Sequence, residues 1–220
     1  MKVLVACEES QRVCTAFRER GHEAYSCDIL ECSGGHPEWH IMQDALPLLN
    51  GFCGFDTMDG THHYIGRRWD MIIAHPPCTY LSNAGAARLY PRKGELNKER
   101  YAKGLEAKAF FMEFYSAECE KICIENPIPT SIYNLPPRSQ IVEPYEHGHP
   151  YRKKTCLWLK GLPNLKPTQI ITGDLTSWVS GGSKDAHGNP RKQSGTKFRD
   201  SRTRSKTFPG IAKAMAEQWG

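Results

Sequence analysis

The sequence predicts an α/β protein of three layers, in which helices cover both faces of a mostly parallel, doubly wound β-sheet. Three observations predict this fold class. Short apolar stretches alternate with helical patterns, 220 residues suffice for one sizeable core, and several apolar stretches end in polar residues. In a doubly wound sheet, ligands bind beyond the carboxyl ends of the strands, so candidate functional residues are expected there.

The N-terminal part of the chain predicts a strand, a helix and a second strand. "KVLVAC" has the composition of a short buried strand. "SQRVCTAFRERG" then places Val13, Ala16 and Phe17 on one helical face, and Gly21 is expected to end the helix. "HEAYSCDIL" follows as the second strand. A unit of this kind favours parallel pairing of its strands.

The rest of the chain continues the alternation. The predicted elements are, in chain order, a strand end in "WHIMQDA", a strand in "WDMIIAHPP", a helix in "LEAKAFFMEFYSAECEK", strands in "ICIENP" and "KKTCLWLKGLP", and a helix in "FPGIAKAMAEQWG". Residues 50–68, 86–103 and 163–206 are polar, basic or rich in turn formers, and we expect them to lie outside the core.

Composition narrows the class of protein. A mean hydropathy of −0.57 with 39% apolar residues is typical of a soluble chain. The sequence has no apolar run near the roughly 20 residues of a membrane span and no secretory signal, so the cytoplasm is the expected location. Nine cysteines, an odd number, favour reduced thiols over a disulfide framework. No membrane contact and no obligate protein partner are expected.

One cysteine and histidine group has spacings tolerable for zinc. It comprises Cys27, Cys32, His36 and His40. Cys27 falls inside a predicted strand, however, and no Cys-x-x-Cys pair is present. We therefore favour core cysteines and surface histidines, and expect no metal.

The net charge of +5 is modest, but cations cluster in residues 180–206. Such a cluster can track nucleic-acid phosphates, or it can be a solvated loop, and composition does not decide between them. The cations are Lys184, Arg191, Lys192, Lys197, Arg199, Arg202, Arg204 and Lys206. A second basic loop, with Arg88, Arg92 and Lys93, is expected to close over the substrate and its phosphate.

Two residues at predicted strand ends are candidates for chemistry. Cys78 follows Pro76 and Pro77 in "IIAHPPCTYLSNAG", and the prolines stiffen the backbone that presents its thiol. Glu125, in "IENP", ends a buried strand, where desolvation is expected to raise the pKa of its carboxyl group and keep it protonated. Alone, Cys78 is also compatible with a buried cysteine, and Glu125 with an ion-paired carboxylate.

Together these residues resemble the cytosine-5 DNA methyltransferase family, as a minimal, phage-like member. Pro77 and Cys78, followed by Ser82, Ala84 and Gly85, resemble its catalytic Pro-Cys motif, and "IENP" resembles its Glu-Asn-Val motif. "HGHPYRKKT" loosely resembles a further, cationic family segment. The resemblance implies a Rossmann-like fold that uses S-adenosylmethionine to methylate carbon 5 of cytosine in DNA, as in restriction-modification, inside a bacterial or phage-infected cell.

The resemblance also implies roles for particular residues. Cys78 would be the nucleophile that adds to carbon 6 of cytosine, and Glu125 the acid that protonates the ring nitrogen. The implied cofactor-binding residues are Cys7, Glu8, Asp28, Ile29, Asp44, Ala45 and Pro76, with Asp28 at the ribose hydroxyls and Asp44 at the adenine amine. The implied substrate-binding residues are Pro77, Ser82, Asn126, Arg152 and Lys153.

Two departures from the family pattern leave alternatives open. The family's glycine-rich cofactor loop is replaced by "ACEESQR", where Glu8 or Glu9 is a candidate partner for the methionine ammonium. The recognition region is also small, so we expect a catalytic core over residues 1–162, a rudimentary basic segment over 163–206, and a returning helix over 207–220.

The alternatives are the same chemistry on a cytosine nucleotide, RNA or single-stranded DNA, and a silent DNA- or cofactor-binding relative. A cysteine hydrolase with His75 or His62 as its base is weaker, because the sequence does not place either histidine beside the thiol.

Overall fold

The computed structural model describes residues 1–92, 94–178 and 201–220, with only the backbone for Ser201. Within these ranges the strands are β1 (Lys2–Ala6), β2 (Glu23–Asp28), β3 (His40–Met42), β4 (Cys53–Asp56), β5 (His62–Ile65), β6 (Met71–Ala74), β7 (Ile122–Pro127), β8 (Gln140–Val142), β9 (Tyr151–Arg152), β10 (Thr155–Lys160) and β11 (Thr176–Ser177). The helices are α1 (Arg12–Glu19), α2 (Lys98–Ser116), α3 (Ser201–Ser205) and α4 (Pro209–Trp219).

The main sheet has seven strands in the order β3-β2-β1-β6-β7-β10-β8. Strands β3, β2, β1, β6 and β7 pair in parallel, whereas β10 is antiparallel to both of its neighbours, β7 and β8. The chain therefore winds outward from β1 in one direction and then in the other, which brings the ends of β1 and β6 together at the switch point. The predicted three-layer, Rossmann-like fold with a mostly parallel sheet is confirmed.

Alternation along the strands gives the sheet two apolar faces. In β1, Val3 and Val5 pack with α1 and α4, whereas Leu4 and Ala6 belong to the core on the opposite face, which also contains Phe111 of α2. The predicted C-terminal helix, α4, packs against α1, and the Arg12 guanidinium donates to the Thr207 carbonyl at 2.7 Å just before that helix begins. The end of the chain is thus fixed beside the first strand.

The expectation that residues 50–68 lie outside the core is wrong. They contain β4 and β5, an antiparallel hairpin that buries Phe55 and Ile65. The Phe55 ring lies 6.3 Å from that of Trp69 and 5.1 Å from that of Tyr25. Isolated apolar residues at alternating positions carry this packing, and the surrounding polar residues conceal it.

The boundaries of two other segments also differ from prediction. Helix α2 begins at Lys98 because the Asn97 side chain caps it, accepting from the Arg100 amide at 2.9 Å. Part of the expected basic loop is therefore helical, and Leu89 before it is buried. Leu165, in the expected non-core stretch 163–206, is buried as well. None of the helices described is both long and apolar enough to span a bilayer.

Candidate active site

A cleft of about 930 Å³ opens at the carboxyl ends of β1, β6 and β7. It lies at the switch point of the sheet, where a doubly wound fold binds ligands. Residues from separate parts of the chain line it, among them the loop after β1, Asp28 at the end of β2, the Cys78 loop after β6, and Glu125 of β7. The two residues predicted to carry the chemistry therefore share one cavity, and its size is within the usual range for ligand pockets.

The Cys78 loop is fixed against the strand that carries Glu125. The amides of Leu81 and Ser82 both donate to the Cys78 carbonyl, forming a turn directly after the cysteine. The Asn83 amide then donates to the Ile128 carbonyl at 2.8 Å, beyond the end of β7. Because the loop after β6 pairs with the loop after β7, the thiol and the carboxyl group have a defined relative position.

The carboxyl group of Glu125 has a hydrogen-bond partner, His75, that the sequence did not predict. His75 Nδ1 lies 2.9 Å from Glu125 Oε2, and each of the two side chains is only 11% exposed. The His75 amide donates to the Ala6 carbonyl at 2.9 Å, which extends the pairing of β6 with β1 by one residue and fixes the ring at the base of the cleft. In the sequence, the only indication of this partner is a histidine directly before Pro76. His75 and Glu125 are fifty positions apart, so the local pattern does not predict their contact.

This contact overturns the predicted protonation state of Glu125. Burial raises the pKa of its carboxyl group, as expected, but the hydrogen bond from His75 and the charges of Lys153 and His75 outweigh burial and hold it below the ordinary value. Burial in turn lowers the pKa of His75, and the hydrogen bond and charge of Glu125, with the charge of Glu8, raise it above the ordinary value. Both shifts favour a proton on the histidine and an ionised Glu125.

The Cys78 side chain is in the thiol form in the free protein. Burial and the Glu125 carboxylate raise its pKa, and Lys153 opposes them only in part. No hydrogen bond joins the thiol to His75 among the described residues, and His75 Nε2 is buried with no partner there. A cysteine hydrolase needs the thiol paired with its base and the thiol pKa lowered, so this arrangement does not favour that alternative.

The backbone of the loop after β1 turns tightly although the loop contains no glycine. Cys7 and Gln11 have φ angles of 59° and 57°, in the left-handed region that the missing glycines would favour. Gln11 is fully buried, and its side-chain amide donates to the His36 carbonyl at 2.8 Å and accepts from the His36 amide at 3.0 Å. These bonds stabilise a backbone conformation that is rare for residues with side chains.

Glu8 is a structural part of this loop. Its two carboxylate oxygens accept from the amides of Val13 and Cys14, at 2.7 and 3.1 Å, and so satisfy the otherwise unpaired first turn of α1. The side chain is buried but still lines the cleft. A methionine ammonium at Glu8 would therefore approach a carboxylate that already has two donors.

Replacing Glu8 with alanine is expected to lower the free energy of unfolding by about 1–3 kcal/mol, because two buried amides lose their acceptor. Urea unfolding followed by circular dichroism measures this change. Glu9→Ala is the matched control, since Glu9 pairs with the half-exposed Arg202, and its loss is expected to cost less than about 1 kcal/mol. An equal cost for both variants would contradict the capping role of Glu8.

Glu9 connects this loop to α3, on the other side of the cleft. Its oxygens accept from Arg202 Nε and Nη2, both at 3.1 Å, and the Lys206 ammonium lies 3.8 Å away. Burial raises the pKa of Glu9, but the bonds from Arg202 and Ser33 and the charge of Lys206 hold it below the ordinary value. Glu9 is thus an ionised carboxylate that already has cationic partners.

The other predicted cofactor residues divide into two groups. Cys7, Asp28 and Pro76 line the cleft. Ile29 is 74% exposed, Ala45 is buried, and Asp44 is exposed and caps its own turn at the Leu46 amide; none of these three lines the cleft. Asp44 nevertheless lies near the same sheet edge, since its charge and that of Asp28 both raise the pKa of Cys7, although burial contributes more.

Most predicted substrate residues line the cleft. Pro77, Ser82, Arg152 and Lys153 do, whereas Asn126 is fully buried and donates to the Pro127 carbonyl instead. Lys154, Arg202, Arg204 and Lys206 add further cations to the same walls. The predicted basic residues Lys93, Lys184, Arg191, Lys192, Lys197 and Arg199 lie outside the described residues, and Arg88 and Arg92 are exposed away from the cleft lining.

The group with spacings tolerable for zinc does not form a metal site. Both ring nitrogens of His40 have partners, Ser26 Oγ and the Leu30 carbonyl, each at 2.8 Å. His36 instead contacts Glu38 and stacks on Trp39. Within residues 1–92, 94–178 and 201–220, no set of three or more potential ligands is arranged to hold a metal ion.

Comparison with known proteins finds similarity only among solved structures. No protein-family model matches the chain, and no curated protein matches it. One solved structure is a protein described as a DNA modification methyltransferase encoded within a prophage (E. coli), with 14% identity, a TM-score of 0.44, and coverage of 78% of this chain and 52% of that one. Another is the Entamoeba histolytica methyltransferase EhMeth, with 11% identity, a TM-score of 0.39, and coverage of 78% and 57%. The chain thus spans little more than half the length of either.

Proposed function

We propose that this protein is a methyltransferase that uses S-adenosylmethionine to methylate carbon 5 of cytosine in DNA, through a covalent adduct with Cys78. The observation that carries the proposal is the single cleft at the switch point of the sheet. It contains a cysteine thiol, a buried carboxyl group with a proton-bearing partner, and the loop after β1 with the acidic end of β2. Two reactants can bind side by side only if both groups of residues line one continuous cleft, as they do here.

The residues at one end of the cleft fit the cofactor. Cys7 has the left-handed backbone that a glycine would favour and lines the cleft, and Asp28 places a carboxylate at the end of β2, where nucleotide folds bind ribose hydroxyls. We assign Cys7, Asp28 and Pro76 to this half of the site. When bound there, the cofactor supplies an electrophilic methyl group on a sulfonium.

The other end of the cleft fits an electron-poor ring. The Cys78 thiol loses its proton to solvent in the open cleft and its sulfur forms a bond to carbon 6 of cytosine, while Glu125, carrying a proton, protonates the ring nitrogen at position 3. These two steps leave carbon 5 nucleophilic enough to accept the methyl group. The proton on carbon 5 is then lost to a base, the bond from sulfur to carbon 6 breaks, and the nitrogen returns its proton. Pro77 and Ser82 lie beside the thiol and would orient the ring.

Cations on the cleft walls support a nucleic-acid substrate. Among the described residues, six cations line the cavity together with five acidic residues, and two of the cations, Arg152 and Lys154, are exposed on its wall, where they can contact phosphates. A cytosine in duplex DNA would have to leave the helix to reach Cys78, at a cost of a few kcal/mol that these phosphate contacts offset.

The double variant Arg152→Ala/Lys154→Ala is expected to weaken DNA binding about tenfold at low salt, and to reduce the slope of log affinity against log salt by about two. Both side chains are exposed on the cleft wall, so their loss leaves the core intact. Fluorescence anisotropy with a labelled duplex over a salt series measures both quantities. Lys166→Ala/Lys213→Ala, exposed cations away from the cleft, is the matched control. Equal losses in the two double variants would argue against this wall as the DNA surface.

Product analysis tests the proposed function. Purified protein is incubated with S-adenosylmethionine carrying a labelled methyl group and with duplex DNA, single-stranded DNA, RNA or dCMP, and the nucleosides are separated by mass spectrometry. Labelled 5-methylcytosine from DNA is the expected result. Labelled product from dCMP or RNA alone would assign the protein a different substrate. Cofactor binding without product on any of the four would favour a catalytically silent binding protein.

A further inference from the structure

We propose that His75 is a positioning residue for Glu125, and that it stores the proton that Glu125 delivers to the cytosine ring. The inference rests on the proposed function, because it specifies how the acid of that reaction is supplied. The proposed reaction needs a protonated carboxyl group at Glu125, whereas the hydrogen bond from His75 favours a carboxylate there. A proton held on His75 would supply the missing one.

The geometry of the pair carries the inference. His75 Nδ1 and Glu125 Oε2 are 2.9 Å apart, and the histidine backbone is held at the end of β1 by the Ala6 carbonyl. Both side chains line the cleft and are nearly buried, so neither can reach bulk water freely. A buried ion pair of this kind orients the carboxylate and holds one proton between its members.

The charges around the ring keep that proton in place. Burial disfavours an imidazolium at His75, and Lys153 from the segment before β10 opposes it as well. The hydrogen bond and charge of Glu125 from β7 favour it, as does the charge of Glu8, a carboxyl group whose own pKa is raised by burial. Cys78, on the same loop as His75, is uncharged as a thiol. His75 Nε2 is buried and has no hydrogen-bond partner among the described residues, so the ring is held through Nδ1 by Glu125.

During the proposed reaction, one proton moves from His75 through Glu125 to the cytosine ring. In this proposal, His75 of the free protein carries a proton on each ring nitrogen and Glu125 is ionised. When the base binds, the Cys78 thiol gives its proton to solvent and its sulfur adds to carbon 6. The bond from Nδ1 to its proton breaks at the same time, and the carboxylate takes this proton and passes one to the ring nitrogen. His75 is then neutral and Glu125 again ionised. Loss of the sulfur adduct returns the proton by the same route.

Titration of His75 by NMR tests the pair without reference to turnover. The His75 signal is assigned by its loss in His75→Gln. Its pKa is expected to lie above the ordinary value of 6.5 in the wild-type protein and to fall in Glu125→Gln. A His75 that titrates at or below the ordinary value, or that is unaffected by Glu125→Gln, would contradict the proposal. This result does not depend on whether the protein methylates anything.

The kinetics of His75→Gln test the role in catalysis. We expect kcat to fall at least about tenfold, with KM for DNA and for the methyl donor within about twofold. Because the proton of the pair titrates on Glu125 alone when His75 is absent, one limb of the pH profile of kcat is expected to move while the other stays. His147→Gln, which alters a buried histidine away from the cleft, is expected to leave the profile unchanged.

The outcomes separate this inference from the function on which it rests. If wild-type protein forms 5-methylcytosine and His75→Gln shows an unaltered pH profile, the role of His75 is wrong and the proposed function stands. If wild-type protein forms no product from any substrate, the proposed function is wrong, and the catalytic role of His75 with it. A rise in KM with kcat unchanged would assign His75 to binding and overturn the proposal.

Discussion

Replacing Cys78 with alanine is expected to reduce the formation of 5-methylcytosine by at least about four orders of magnitude. The expected loss is large because carbon 5 of cytosine becomes nucleophilic only after sulfur has added to carbon 6. Cys78→Ser should be nearly as inactive, because a serine hydroxyl group is far less acidic than the Cys78 thiol, even though the pKa of that thiol is raised. The measurement is the initial rate of methyl transfer to duplex DNA at saturating methyl donor.

The binding properties of the Cys78 variants separate chemistry from folding. Cys78→Ala is expected to retain the thermal stability of the wild-type protein and its affinity for DNA, because the side chain lines an open cleft. Cys32→Ala, which removes another free cysteine outside the cleft lining, is the matched control and should retain full activity. Substantial methyl transfer by Cys78→Ala would contradict the covalent route, and would leave Cys78 as a residue of the cleft wall.

Replacing Glu125 with glutamine is expected to lower kcat by about 10²- to 10⁴-fold. An amide can donate a hydrogen bond to the ring nitrogen but cannot transfer a proton to it. Glu125 is also the only carboxylate that hydrogen-bonds the ring of His75 among the described residues, so the variant loses the acid and its proton supply together. Cofactor affinity, measured by calorimetry, is expected to change by less than about threefold.

Asp28→Asn is the matched control for Glu125→Gln. It makes the same change, from carboxylate to amide, at the other end of the cleft. We expect it to weaken cofactor binding with little effect on kcat once the methyl donor is saturating. Equal losses of rate and of cofactor affinity in Glu125→Gln would be incompatible with its role as the acid.

The local pattern of the sequence was sufficient to predict the core of the fold. The short continuous apolar run in "KVLVAC" and the helical face of Val13, Ala16 and Phe17 predicted the first strand and helix correctly. The hairpin of β4 and β5 was missed because Phe55 and Ile65 stand alone among polar residues, and only their packing on Tyr25 and Trp69 shows that they belong to the core. Such contacts have no local signal.

The site was predictable in its positions and less so in its electrostatics. Cys78 and Glu125 were expected at one sheet edge, and both line the cleft there. The protonation of Glu125 was predicted wrongly because burial alone was considered, whereas a charged partner outweighs burial at 2.9 Å. That partner, His75, is distant in sequence, so its contact with the carboxylate depends on the pairing of β6 with β7.

The loop after β1, which contains no glycine, shows a similar limit. The sequence indicates that the usual means of reaching a left-handed backbone are missing, which made the pose of the cofactor uncertain. The structure reaches that backbone at Cys7 and Gln11 by other means, including the bonds of the Gln11 amide to His36 and the cap that Glu8 provides for α1. These compensations are long-range, and residue types alone do not predict them.

The central claim is that Cys78 bonds to a cytosine that then receives a methyl group, and trapping that species tests it most directly. In DNA that contains 5-fluorocytosine, carbon 5 carries no proton to lose, so the methylated adduct cannot release the sulfur. With S-adenosylmethionine present, mass spectrometry should find methylated DNA joined to the peptide that contains Cys78, and none in Cys78→Ala. Methyl transfer to ordinary DNA with no trapped adduct, or an adduct at another cysteine, would contradict the account.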